Sequence, residues 1–165
     1  MIHLYNAAAA EVAARNRHRA AGRTRSARGD PGGQWRGSLV IFDTNALPAL
    51  LDKDAALLEA IRESRELALP VIVHGEFRFG ISVSRRRDEY LAWLRRDLPL
   101  FRVLPVVEET SVYYATIRSE LKAGGFPIPA NDAWIAALAR QHRMPIVSRD
   151  THFDKVRNIE RLGWS

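Results

Sequence analysis

Leu39-Val40-Ile41-Phe42 is an unbroken apolar run that ends on a charge, Asp43. A run this short, with no polar face, reads as a strand buried on both sides, as the central strands of parallel sheets are. Helical spacing follows in Ala46–Leu51 and Ala55–Ile61, then a second β-rich run, Leu69-Pro70-Val71-Ile72-Val73, with proline near its start, where a strand tolerates it. His74–Val83 and Arg86–Leu98 read as helices, the second with Tyr90, Leu91 and Leu94 on one side. Phe101–Leu104 is a third strand. Thr110–Ala123 predicts a helix stopped by Gly124-Gly125. Asn131–His142 is another helix, Met144–Val147 a fourth strand, Thr151–Val156 a short helix and Asn158–Leu162 a last edge strand. Strands alternating with helices predict an α/β domain over residues 39–165, its central parallel sheet of four to five strands covered on both faces.

Charge separates this domain from what precedes it. The 165-residue chain carries a net +6, and residues 1–38 hold seven arginines against only Glu11 and Asp30. Five of the six excess charges therefore lie in the leading segment. Its alanines predict a short helix as far as Arg19, and the following arginine, glycine and Pro31-Gly32-Gly33 predict a flexible linker. A basic arm that attracts phosphate and a plain unstructured extension are both consistent with that composition.

Several function classes are excluded. The chain has no cysteine, hence no disulfide scaffold, cysteine nucleophile or thiolate metal site, and it suits a reducing cytoplasm, the expected location. No apolar run approaches the ~20 residues of a membrane span. Met1–Ala10 lacks the basic-then-apolar order of a secretion signal. There is no Gly-x-Ser-x-Gly elbow and no His-x-x-x-His pair.

Four carboxylates fall where strands give way to helices or where a helix begins: Asp43 after the first strand, Glu76 after the second, Asp132 in the first turn of Asn131–His142, and Asp150 after the fourth strand. In an open parallel sheet the strand C-termini share one edge, and ligands bind in the crevice there. Clustered anions are costly unless a cation neutralises them, and an all-oxygen set favours Mg²⁺ or Mn²⁺ over zinc. Each residue also has a structural reading. Asp43 and Asp150 suit helix caps, Asp132 suits a helix dipole, and Glu76 suits a solvated helix face.

The segments Ile41-Phe42-Asp43-Thr44-Asn45, Val73-His74-Gly75-Glu76-Phe77-Arg78-Phe79-Gly80, Pro129-Ala130-Asn131-Asp132-Ala133-Trp134-Ile135-Ala136-Ala137 and Ser148-Arg149-Asp150-Thr151-His152-Phe153-Asp154 resemble the PIN-domain ribonucleases. The similarity is closest to VapC-like toxins of toxin–antitoxin pairs, and it runs through essentially all of 39–165 in the family's order and spacing. It implies a PIN-like three-layer α/β/α fold and a metal-dependent endoribonuclease. Asp43, Glu76, Asp132 and Asp150 are its implied catalytic carboxylates and its ligands for Mg²⁺ or Mn²⁺. Thr44 or Asn45 would orient Asp43, Asn131 would orient Asp132, and Asp154 would add an outer carboxylate from the face of Asp150. The implied partners are an RNA substrate, a cognate antitoxin and a second copy of the chain, with no membrane. The departure is at the front, where 42 residues precede Asp43 although such toxins begin close to it.

The chemistry implied is phosphodiester hydrolysis by a metal-activated water. Arg149, beside Asp150, is the expected phosphate contact. His74 and His152 read as packing or hydrogen-bonding residues, Arg85-Arg86-Arg87 and Arg95-Arg96 as a solvated helix face, and Trp93 and Trp134 as core or interface. Two rivals keep the same fold: a non-catalytic nucleic-acid-binding module and a metal-dependent DNA nuclease. An aspartyl phosphatase would want aspartate where Asn45 stands.

Overall fold

β1, Leu39–Phe42, takes the middle of a five-stranded sheet, as its continuous apolarity requires; Val40, Ile41 and Phe42 are all buried. The computed structural model describes residues 39–165; the leading segment, with its expected helix and linker, lies outside the described residues. β2 (Glu66–Pro70), β3 (Phe101–Leu104), β4 (Ile146–Val147) and β5 (Arg161–Leu162) complete the sheet in the order β3-β2-β1-β4-β5, every pair parallel. The register sets Ile41 beside Ala68 on one side and Ile146 on the other, so the ends of β1 and β4 are level. Helices α1 (Ala46–Leu51), α2 (Ala55–Ala60), α3 (Val71–Ser82), α4 (Arg87–Asp97), α5 (Glu108–Gly124) and α6 (Ala130–His142) flank the sheet as the outer layers of an α/β/α sandwich.

The second strand is displaced from its expected place. The run Leu69–Val73 is not a strand throughout: β2 ends at Pro70, and Val71 already begins α3. Pro70 sits at φ −56° and ψ 139°, an extended conformation that ends a strand and precedes a helix equally well. The branched residues beyond it are drawn into the helix by burial, because Val73, Phe77 and Ile81 form its inward stripe. Tertiary packing thus overrides their β-propensity.

Other boundaries move less. α5 starts at Glu108 rather than Thr110; the Val107 N–H donates to Thr110 Oγ1 at 3.2 Å, and Glu108 and Glu109 favour the positive end of the dipole. It stops where expected, on Gly125 at φ +73°, a conformation that costs glycine little. The segment Thr151–Lys155 is 3₁₀ rather than α-helical, and the last two strands shorten to two residues each.

A chain of edge-to-face aromatic contacts carries the core from the sheet to α4: Phe42–Phe101 at 5.3 Å, Phe101–Trp93 at 6.3 Å and Trp93–Phe77 at 5.7 Å. Trp93 is therefore a core residue, and Trp134, half-buried, stacks on Tyr114 at 4.0 Å. Arg85, Arg86, Arg87, Arg95 and Arg96 are exposed, as a solvated face requires. Among the described residues no helix is long and apolar enough to cross a membrane.

Candidate active site

Asp43 follows the buried end of β1, so its carboxylate emerges at the C-terminal edge of the sheet while staying only 6% exposed. Its neighbours there come from β4: the Asp43 N–H donates to the Val147 carbonyl at 3.1 Å. Three donors and two charges then define its state. The Thr44 N–H reaches Oδ1 at 2.7 Å; the Asn45 side-chain amide and the Ser148 hydroxyl reach Oδ2 at 2.7 and 2.6 Å. Burial nevertheless raises its pKa above the ordinary carboxylate value, and the charges of Asp132 and Asp150 push the same way, against the bonds from Ser148 and Thr44.

Ser148 is fully buried and ties the site together. Besides donating to Asp43, its oxygen accepts from Asn45 Nδ2 at 3.0 Å and from the Asp150 N–H at 2.8 Å. It thereby fixes the first and last motif carboxylates relative to one another. Nothing in its local sequence marks this role except that it is the first polar residue after Ile146-Val147.

Glu76, expected just past a strand, lies instead in the second turn of α3 and is held by two side chains from elsewhere in the chain. Thr44 Oγ1 donates to Oε2 at 2.6 Å, and Asn131 Nδ2 donates to Oε1 at 2.5 Å. Asn131 therefore orients Glu76, not Asp132 as expected. Asn45 orients Asp43 through its side chain; Thr44 does so through its backbone while its hydroxyl serves Glu76.

Asp132, in the first turn of α6, and Asp150, just before the 3₁₀ segment, meet across His152. Its Nδ1 lies 3.3 Å from Asp132 Oδ2 and 3.1 Å from Asp150 Oδ1. These three residues offer ligand atoms within 4.8 Å of one another. His152 is thus a hydrogen-bonding residue within the cluster, one of the two roles expected of it. Asp150 also caps the 3₁₀ segment through the His152 N–H at 2.8 Å. The Asp132 pKa is raised, first by burial and then by Asp150 and Glu76, with His152 opposing. Asp43 therefore senses the charges of Asp132 and Asp150, and Asp132 those of Asp150 and Glu76, as the strand-edge argument requires.

Two expected contributors are engaged elsewhere. Asp154 forms a two-pronged pair with Arg161 at 2.7 and 2.8 Å, which holds its carboxyl below the usual range. In a 3₁₀ turn the fourth residue on does not share a face with the first, so Asp154 does not follow Asp150 into the cluster. Arg149 gives its guanidinium to Asp54, the N-cap of α2, at 2.5 Å, and packs 4.8 Å over the Trp164 ring. Its backbone N–H, not its charge, serves the site, by donating to Asn45 Oδ1 at 3.2 Å.

The donor set is the two carboxylates and one imidazole of Asp132, Asp150 and His152, with the carboxylates of Asp43 and Glu76 near enough for their charges to act within the cluster. Such a set fits a hard divalent cation.

Residues 40–159 match the PIN domain. The chain is 32% identical to the toxin FitB of Neisseria gonorrhoeae over 124 residues, which cover 68% of this chain and 88% of FitB. It is 32% identical over 123 residues to the VapC ribonuclease Y4jK of Sinorhizobium fredii, with 68% and 88% covered. Among solved structures it resembles VapBC-5 of Mycobacterium tuberculosis, a member of the VapBC family of toxin–antitoxin systems. That likeness has a TM-score of 0.62, 25% identity, and 76% and 98% of the two chains covered. A match over most of the described domain, joined to these relatives, makes the chain a member of the PIN-domain family.

Proposed function

We propose that this protein is an endoribonuclease that hydrolyses RNA phosphodiester bonds with Mg²⁺ or Mn²⁺, and that it is the toxin of a toxin–antitoxin pair acting in the cytoplasm. The observation that carries the reading is the convergence of Asp43, Glu76, Asp132 and Asp150 at one sheet edge, two of them with pKa values raised by burial and mutual charge. The names of FitB, Y4jK and VapBC-5 support the ribonuclease and toxin parts.

Asp43, Asp132 and Asp150, with His152 beside the latter two, would hold the cation. When bound, it supplies charge to stabilise the phosphorane-like transition state and to acidify a water. The residues themselves do the positioning. Ser148 and Asn45 keep Asp43 aimed at the cluster. Glu76, fixed at both oxygens by neutral donors, accepts the proton of the attacking water. The water oxygen bonds to phosphorus, one P–O ester bond breaks, and the departing oxygen takes its proton from solvent. No side-chain nucleophile is needed.

The partners this reading entails are a cognate antitoxin, which the name of VapBC-5 supports, and a second copy of the chain. Phe79 and Val83, about three-quarters exposed at the end of α3, offer apolar surface for such contacts.

The test is cleavage of labelled single-stranded RNA by the chelator-treated chain, with and without added Mn²⁺, beside the same DNA sequence. Mn²⁺-dependent RNA cleavage that disappears in Asp43→Asn is expected. RNA left intact under all conditions would sink the proposal, and DNA cleavage in its place would make the chain a DNA nuclease.

A further inference from the structure

The 3₁₀ segment that carries His152 also carries Lys155, and its face does not end at the carboxylates. Residues three apart eclipse one another in a 3₁₀ helix, so His152 and Lys155 look the same way. His152 meets Asp132 in the first turn of α6; Lys155 Nζ meets the Phe126 ring, 5.3 Å from its centroid, in the loop that leads into α6. Phe126 is 51% exposed, and its N–H is anchored on the Leu121 carbonyl at 3.0 Å. Its ring packs over Gly124, where an added Cβ would come 3.2 Å from the ring edge. A large aromatic is thus held in place with half its surface in solvent.

Immediately behind this loop lies a cleft of about 410 Å³ lined by Arg118, Ser119, Leu121, Lys122 and Pro127. Arg118 and Lys122 are one turn apart on α5, and the Arg118 guanidinium is steadied by the Ile128 carbonyl at 2.9 Å. Among the described residues no carboxylate pairs with either. Lys155 therefore sits over an exposed, anchored aromatic ring, and two further cations, Arg118 and Lys122, line the cleft bordered by Pro127 of the same loop. That combination suits a polyanion with flat bases: phosphates for the cations, a π-face for the ring.

We propose that Phe126, Lys155 and the Arg118–Lys122 cleft form a subsite for single-stranded RNA next to the scissile phosphate. One base stacks on Phe126, and the neighbouring phosphates lie against Lys155, Lys122 and Arg118. The inference rests on the nuclease reading for the nature of the ligand, but it concerns affinity rather than chemistry. It also accounts for how RNA approaches a cluster of carboxylates that would otherwise repel it, since the cations flank the anionic centre.

The experiment measures binding of a fluorescently labelled, mixed-sequence single-stranded RNA by anisotropy in chelator, then cleavage with Mn²⁺. Phe126→Ala should weaken binding by about tenfold, the loss of one base–aromatic stack, and raise KM more than it lowers kcat. Phe126→Tyr should restore both, with thermal melting unchanged in either variant. Lys122→Ala and Lys155→Ala should each flatten the slope of log affinity against log salt by about 0.7. Unchanged affinity in Phe126→Ala, or a lost affinity that tracks a lowered melting temperature and is not rescued by tyrosine, would overturn the subsite and make the ring a strut. RNA that binds with these dependences yet is never cleaved would count against the nuclease reading and leave the subsite standing.

Discussion

The Ser148 hydroxyl donates to Asp43 Oδ2 at 2.6 Å, joining residues 105 positions apart at the floor of the carboxylate cluster. Ser148→Ala removes the donor and leaves a buried carboxylate short of a partner, at a cost of about 1–3 kcal/mol in unfolding free energy. Urea unfolding measures this, and cleavage should fall in the same variant because Asp43 loses its aim. Ser148→Thr keeps the hydroxyl and should keep most of both. A stable, fully active Ser148→Ala would remove serine from the site.

The raised pKa of Asp43 has a sign that can be read in stability. A carboxyl whose pKa is higher folded than unfolded favours the native state below the unfolded value and loses that contribution as pH climbs through the folded one. In chelator, Asp43→Asn should therefore melt higher than the parent near neutral pH, and the gap should close as pH falls toward the ordinary carboxylate value of 3.8. Saturating Mn²⁺ should raise the melting temperature of the parent and leave the variant nearly unmoved. Paired thermal scans across pH, with and without the ion, test both statements.

Glu76 is gripped by the side chains of Thr44 and Asn131, one on each oxygen. Thr44→Val and Asn131→Ala each free one oxygen without touching the cluster of Asp43, Asp132 and Asp150. Each should lower kcat by roughly ten- to a hundredfold through misplacement, with melting little altered. The pair together should lose less than the product of the single losses, since both act through the same carboxylate. Strictly multiplicative losses would show that they act on different groups.

Arg161 takes both oxygens of Asp154 and reaches the Ser148 carbonyl at 3.1 Å. Asp154→Asn should leave cleavage almost intact, because that carboxylate faces the arginine. Arg161→Met should reduce stability by about 1–2 kcal/mol through the lost bond to a buried carbonyl and slow cleavage through Ser148. If Asp154→Asn abolishes cleavage, the assignment of Asp154 to the scaffold is mistaken.

The order of strands and helices was legible because each strand of the sheet is short and bounded by polar turns. β1 is the clearest case: four apolar residues and a charge define a central strand and its functional edge. The failure at Leu69–Val73 has a physical cause, since branched residues fit strands until a buried helical stripe such as Val73, Phe77 and Ile81 outweighs them. Asp43, Asp132 and Asp150 were legible for the same reason as β1, namely their place after strands or in a first helical turn, whereas Glu76 sits a turn into α3. Asn45, as the near neighbour that orients Asp43, was legible too, but the distant partners were not. Ser148, Thr44 and Asn131 act across 105, 32 and 55 positions. No local pattern encodes a bond of that span. Asn131 adjoins Asp132 in sequence, yet its side chain faces the helix that carries Glu76.

Pairing β1 with β4 sets Asp43 beside Ser148, so the cluster draws on both ends of the domain at once. A single proteolytic cut anywhere in between would sort its carboxylates onto separate fragments. Neither fragment would retain a complete set, so hydrolytic capacity is coextensive with the intact, cooperatively folded domain. Degradation would silence such an enzyme at the first cleavage, long before its last peptide was destroyed.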